Sequence, residues 1–296
     1  MLSYIESFLS EIDFPKEAIE DLIKNYELLS RKDECFSKFN ELVNYFKDHN
    51  GKEEYQGIFA KLDEIAKQLE MSNYSLHMLY LIALSIHTRE LYEKKNLSYD
   101  IYLNSMSDLR AKLFECRELH EIWGTAAAWW EIDFFNLNLI ALGRLQYELI
   151  EFDEDYSNGT HQLNNGDVVI NMHIPSLGPL LYEDCQKSFA IAAEFYKEHF
   201  IDRPVAFVCH SWLLYPEHKE FLPKGSNILK FMSFFDIFSS EIDDKKEDLW
   251  RVFYKDWEKE AKDLPRNTSI QRAYADWLMK GNNIGTGQGV FFYDAL

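Results

Sequence analysis

Residues 167–175, Asp-Val-Val-Ile-Asn-Met-His-Ile-Pro, and residues 203–214, Arg-Pro-Val-Ala-Phe-Val-Cys-His-Ser-Trp-Leu-Leu, decide the reading of this chain. Each holds a short run of apolar and β-branched residues, 168–174 and 205–208. Between the runs lie a turn around Gly178 and a helix pattern over 182–200. Strand, helix and strand at this spacing predict a βαβ unit with parallel strands and a right-handed crossover. Both strands turn polar at their carboxyl ends, with Asn171 and His173 on the first and Cys209, His210 and Ser211 on the second. Open parallel sheets bind ligands outside the carboxyl ends of their strands, so these residues are the first candidates for chemistry.

Upstream, the alternation over 144–152 predicts another strand, with Leu145, Tyr147 and Leu149 on one face and Gln146, Glu148 and Ile150 on the other. A polar loop with Asn158-Gly159 and Asn165-Gly166 turns links it to the βαβ unit. Downstream, a helical stretch runs through Phe234. Two strands are expected at 236–242 and 248–254, then a helix at 268–280 and a last strand at 289–293. The glycines from Gly281 to Gly289 precede a strand rather than open a helix, so they read as a turn and not as a phosphate cradle.

Residues 1–120 carry 3.6-residue periodicity almost throughout. Leu2, Ile5, Phe8, Leu9 and Ile12 form one stripe. Phe36, Phe39, Leu42, Val43 and Phe46 form another, which Asn50-Gly51 stops as a left-handed C-cap. Residues 76–91 are apolar nearly all round, as a buried central helix would be, and 98–119 reads as one further helix. The sum is an α+β chain: an all-helical N-terminal domain, residues 1–120, then residues 121–296 with a mixed β-sheet flanked by helices.

At 296 residues the chain is long enough for both domains, and its 47% hydrophobic and 16% aromatic content excludes disorder. The formal net charge of −19 argues against nucleic-acid and anionic membrane partners and suits a cationic acceptor such as an amine. The four cysteines show no CxxC spacing, the first residues form an amphipathic stripe rather than a signal peptide, and no apolar run spans a bilayer. Free thiols and a cytoplasmic location follow as expectations. Cys116 and His120 share a helical face, but without further ligands nearby no metal is expected.

Several motifs occur in order: Gly143-Arg-Leu-Gln-Tyr-Glu-Leu, Asn171-Met-His-Ile-Pro, Cys209-His-Ser-Trp-Leu-Leu, Leu222-Pro-x-x-Ser-Asn-Ile and Leu264-Pro-x-x-Thr-Ser-x-Gln-Arg-Ala. Over roughly residues 120–293 the chain resembles the GNAT-like C-terminal domain of a bacterial group of acyltransferases, in which a helical N-terminal domain comes first. The resemblance implies that the strands at 168–174 and 205–209 are neighbours splayed at their carboxyl ends. The pantetheine arm of acetyl-CoA or another acyl-CoA would sit in that gap, with its pyrophosphate on backbone amides at the start of the next helix. Ile174, Ser176, Gly178 and Leu180 would then hold the cofactor, joined by Asn227.

A small-molecule acyl acceptor would meet Asn171, Cys209, Ser211 and Tyr147, and His173 or Glu148 would take its proton. Glu148 needs a pKa raised by burial for that role. The loop departs from the usual Gln/Arg-x-x-Gly-x-Gly/Ala pattern: the chain has Ser176-Leu-Gly-Pro-Leu, Pro179 removes a donor, and Glu183 and Asp184 place negative charge at the helix start. The expected function is an acyl-CoA-dependent N-acyltransferase working by direct attack. The alternative is a catalytically inactive GNAT-like module that binds a small molecule or a protein. A hydrolase using Cys209 is a third reading. Cys209 and His210 cannot pair, because successive strand residues face opposite ways, and a buried inert thiol is the favoured reading of Cys209.

Overall fold

The computed structural model describes residues 2–49 and 55–293, so the Asn50-Gly51 cap lies outside the described residues. The chain divides into two compact units, Met1–Ala141 and Leu142–Leu296.

In the first unit the described elements are α1 (Leu2–Glu11), α2 (Lys16–Ser30), α3 (Asp33–His49), α4 (Tyr55–Gln68), α5 (Asn73–Lys94), α6 (Tyr99–Met106), α7 (Asp108–His120) and α8 (Ala128–Phe135). The stripes read from the sequence form one core, with Leu9, Leu22, Phe39, Phe46, Leu62 and Leu76 all buried in it. Helix α5 is buried on nearly every side. Its polar Ser85 and Thr88 avoid a desolvation penalty by donating back to the carbonyls of Ile82 (2.6 Å) and Leu84 (3.3 Å). The stretch expected as one helix breaks at Ser107, whose hydroxyl bonds the Leu103 carbonyl (2.8 Å) where α6 ends and α7 begins. The divide read at 120/121 falls instead at 141/142, because α8 buries Ile132, Phe134 and Phe135 in the helical core.

In the second unit the described strands are preceded by β1 (Ile140–Leu142) at the divide. They are β2 (Leu145–Glu151), β3 (Tyr156–Ser157), β4 (Gln162–Leu163), β5 (Val168–His173), β6 (Val205–Ser211), β7 (Asp236–Ile242) and β8 (Gly285–Tyr293). The helices are α9 (Tyr182–Phe195), α10 (His218–Phe221), α11 (Asn227–Met232), α12 (Trp250–Phe253) and α13 (Ser269–Met279). The main sheet has the order β1-β2-β5-β6-β8-β7, and β3 and β4 form a small hairpin within the polar loop. β5 and β6 run parallel and the pairs β2–β5, β6–β8 and β7–β8 antiparallel, so the sheet is mixed.

Two expectations are corrected. Residues 248–254 are not a strand: they form a 3-10 turn, α12 and the start of another 3-10 turn, and β7 pairs with β8. Leu249, Val252 and Phe253 bury together against Leu264, Tyr274 and Leu278, at the i, i+3, i+4 spacing of a helix. The glycine run is not simply a turn, because β8 already begins at Gly285. Gly285, Gly287 and Gly289 share one face of β8. A Cβ there would run into the Glu241 carbonyl, the Leu214 carbonyl and the Phe235 side chain respectively. That bare face lets the 3-10 turn Trp212–Leu214 lie directly on the strand. Among the described residues, no helix is long and apolar enough to cross a membrane.

Candidate active site at the strand ends

Register decides which side chains meet. Glu148 lies opposite Asn171, and Gln146 opposite His173, across β2 and β5. β5 and β6 pair at Ile170↔Phe207 and Asn171↔Val208, and His173 and Ser211 lie beyond these partners at the carboxyl ends of the two strands. Paired residues share a face. One face therefore carries Gln146, Glu148, Asn171, His173, Val208 and His210. The other carries Tyr147, Met172, Phe207, Cys209 and Ser211. Helix α9 covers this second face: Phe189 packs on Phe207 and Phe291 at centroid distances of 5.4 and 5.1 Å.

On the first face His173 Nε2 lies 2.8 Å from Glu148 Oε1, and Asn171 Nδ2 donates to the same oxygen at 2.8 Å. The side chains of His173 and Glu148 are 23% and 25% exposed, enough to reach a ligand and little enough to keep the pair strong. Burial raises the Glu148 pKa, but the hydrogen bonds from His173 and Asn171 and the imidazole's charge outweigh it, and the carboxyl ends below its ordinary value. That reverses the shift a Glu148 base would need. With Glu148 bonded to its Nε2, the geometry suits His173 as proton acceptor and Glu148 as the group that orients it.

Three expected substrate contacts lie on the opposite face from this cluster. Tyr147 is fully buried and its hydroxyl pairs with Ser188 Oγ (2.8 Å) beneath α9. Cys209 is 1% exposed, and burial pushes its thiol up to about 12, which removes the thiolate a hydrolase would need. Ser211 Oγ accepts from the Leu213 amide (3.2 Å) and caps the 3-10 turn. Asn171 alone of the four joins His173.

The expected cofactor residues Ile174, Ser176, Gly178 and Leu180 form the loop that leaves β5 and enters α9. Gly178 takes a positive φ of 71°, a conformation that favours glycine. Arg144, from the turn before β2, donates from Nε to the Pro179 carbonyl (3.0 Å) and from a terminal nitrogen to the Gly178 carbonyl (3.3 Å). Of the two carboxylates at the α9 start, Asp184 is paired with Lys187 (3.4 Å). Asn227 opens α11, just after the cap Ser226, whose hydroxyl accepts from the Leu229 amide (3.3 Å). Arg144 and Gln146 are not among the residues expected to act, and His210, one of the first candidates at the strand ends, pairs outside the His173 cluster. His210 donates to or accepts from Thr286 Oγ1 (3.0 Å) on β8, a pairing that alternation within one strand does not reveal. Among the described residues, no group of three or more His, Cys, Asp or Glu side chains is placed to hold a metal ion.

Fold and site define a two-part α+β protein with a carboxylate–imidazole pair beside the carboxyl end of a parallel strand pair. Residues 139–291 match the family model described as a GNAT-like C-terminal domain, and residues 3–137 match that of an N-acyltransferase N-terminal domain. The chain belongs to this family. No curated protein matches it by sequence. Among solved structures it is similar to an acyltransferase in complex with decanoyl-CoA and teicoplanin. That match has 20% identity and a TM-score of 0.72, and covers 98% of this chain and 87% of the other. It is also similar to a mutant acyltransferase in complex with octanoyl-CoA, at 18% identity and TM-score 0.76 with the same coverages.

Proposed function

We propose that the chain transfers an acyl group from acyl-CoA to an amine. The observation that carries this reading is the His173–Glu148 pair, held on the face of β2 and β5 that α9 does not cover. In the reaction the amine nitrogen attacks the thioester carbonyl carbon, the C–S bond breaks, CoA leaves as thiolate, and the proton lost from nitrogen passes to the His173 imidazole. Glu148 orients the imidazole and stabilises the imidazolium that results. No covalent enzyme intermediate is needed, which agrees with the burial of Cys209. The octanoyl- and decanoyl-CoA of the similar structures make medium-chain thioesters the first donors to try. The acidic surface suits a cationic acceptor, and the teicoplanin bound by one neighbour makes an amine on a glycopeptide a reasonable member of the panel.

The test is calorimetric titration with CoA, acetyl-CoA and octanoyl-CoA, followed by thioester consumption against a panel of amines. Micromolar binding with amine-dependent release of CoA supports the reading. No binding at millimolar ligand would end it and leave the binding-module alternative.

A further inference from the structure

We propose that Arg144 is the positioning residue of the CoA pyrophosphate site, an inference that rests on the acyl-CoA reading above. The loop 174–180 lacks the second glycine of the usual pattern, and Pro179 has no N–H to offer. Arg144 compensates by geometry. Its guanidinium fork holds the carbonyls of Gly178 and Pro179 together, from the turn that enters β2, the strand antiparallel to β5. In a trans peptide the carbonyl and the following N–H point in opposite directions. Fixing the Pro179 carbonyl towards Arg144 therefore aims the Leu180 N–H away from it, out of the loop. The peptide that carries no donor is the one whose carbonyl Gly178 gives to the same fork. Gly178 sits in the left-handed region with nothing within 4 Å of where a Cβ would be, so its role is the turn itself and not close packing.

The charge of Arg144 matters as much as its fork. Among the described residues its remaining terminal nitrogen is buried without a hydrogen-bond partner, so part of the cation is not consumed by the loop. In a chain of net charge −19, with Glu183 and Asp184 at the adjoining helix start, a polyanion needs a fixed positive charge close by. Arg144 supplies it from behind the loop. Its pKa is lowered by desolvation, and the Cys185 and Asp184 side chains of α9 oppose that shift. Lysine would keep the charge but lose the two-carbonyl fork.

Decanoyl-CoA and decanoyl-pantetheine separate this role from a general structural one, since the second ligand lacks the pyrophosphate. Both are titrated into the wild-type chain, Arg144→Met and Arg144→Lys, with thermal unfolding of each ligand-free protein as the folding control. The expected result is a loss of at least tenfold in decanoyl-CoA affinity for Arg144→Met and an intermediate loss for Arg144→Lys. Decanoyl-pantetheine should bind all three proteins alike, and the salt dependence of decanoyl-CoA binding should flatten in Arg144→Met. Equal weakening of both ligands, or unchanged decanoyl-CoA affinity in Arg144→Met, would overturn the assignment while leaving the acyl-CoA reading standing. Failure of the wild-type chain to bind decanoyl-CoA would sink both. If Arg144→Met does not fold, Arg144→Lys carries the comparison alone, and equal affinities for its two ligands relative to wild type overturn the proposal.

Discussion

His173 Nε2 and Glu148 Oε1 lie 2.8 Å apart, on neighbouring strands and two residues off direct register, because Glu148 is opposite Asn171 and Gln146 is opposite His173. This diagonal leaves room for the Asn171 amide to bond the same carboxylate oxygen, so one acceptor is held from two directions. The carboxylate is fixed, and through it the imidazole.

The first prediction concerns this pair. With any acyl-CoA and amine that the chain turns over, His173→Ala lowers kcat/KM by about 10²–10⁴-fold, the usual worth of a positioned general base. Glu148→Gln keeps the shape, loses the charge, and lowers kcat more than it raises KM. Because hydrogen bonding overcomes burial and keeps the Glu148 carboxyl below its ordinary value, the residue stays ionised at neutral pH and its own titration touches only the acid end of the pH profile. Steady-state kinetics of the two variants check this; wild-type kcat/KM in both would remove the pair from the mechanism.

Gly287→Ala tests the bare face of β8. The added methyl meets the Leu214 carbonyl, a backbone atom with no rotamer to yield. Overpacking of this kind costs about 1–3 kcal/mol. Urea unfolding should show a lower midpoint for Gly287→Ala, whereas Gly281→Ala, with open space around it, loses stability through its positive φ alone.

Glu131 predicts a loss of stability on the alkaline side. Full burial, then the charge and hydrogen bond of Asp108, push its carboxyl well above the ordinary value, against the opposing charge of Lys112. The unfolded chain releases this proton at the usual carboxylate pH and the folded chain holds it. The stabilisation is complete below the unfolded value and is lost as pH rises through the folded one. Urea midpoints measured from about pH 6 to about pH 10 should fall for the wild type and change less for Glu131→Gln. Parallel curves for the two proteins would mean that Glu131 does not titrate in the fold.

His218 works in the opposite direction. Desolvation lowers its pKa to about 4, and its Nε2 lies 2.6 Å from the Tyr274 hydroxyl within the core. The folded chain resists protonating it, so its contribution is present above the unfolded value of 6.5 and shrinks as pH falls towards 4. At about 1.36 kcal/mol per unit the loss is on the order of 3 kcal/mol. Denaturation at about pH 7 and about pH 4.5 should show a steeper acid loss for wild type than for His218→Gln; equal losses would assign the acid sensitivity elsewhere.

Periodicity alone was enough to find the helical stretches of the first unit, though not the break between α6 and α7, and the βαβ unit, because within one element the 3.6- or 2-residue repeat states which side chains point together. It also separated Cys209 from His210. What it could not supply was register between strands far apart in the chain. Ladder hydrogen bonds join backbone groups that every residue carries, so nothing in the side chains of 168–173 says that Asn171 stands beside Val208 and opposite Glu148. One register places His173, Glu148 and Asn171 together and sends Tyr147, Cys209 and Ser211 to the opposite face. The glycines of β8 and the reach of Arg144 to the loop after β5 are of the same kind. Each depends on a segment that is remote in sequence and adjacent in space, and folding alone brings the two together.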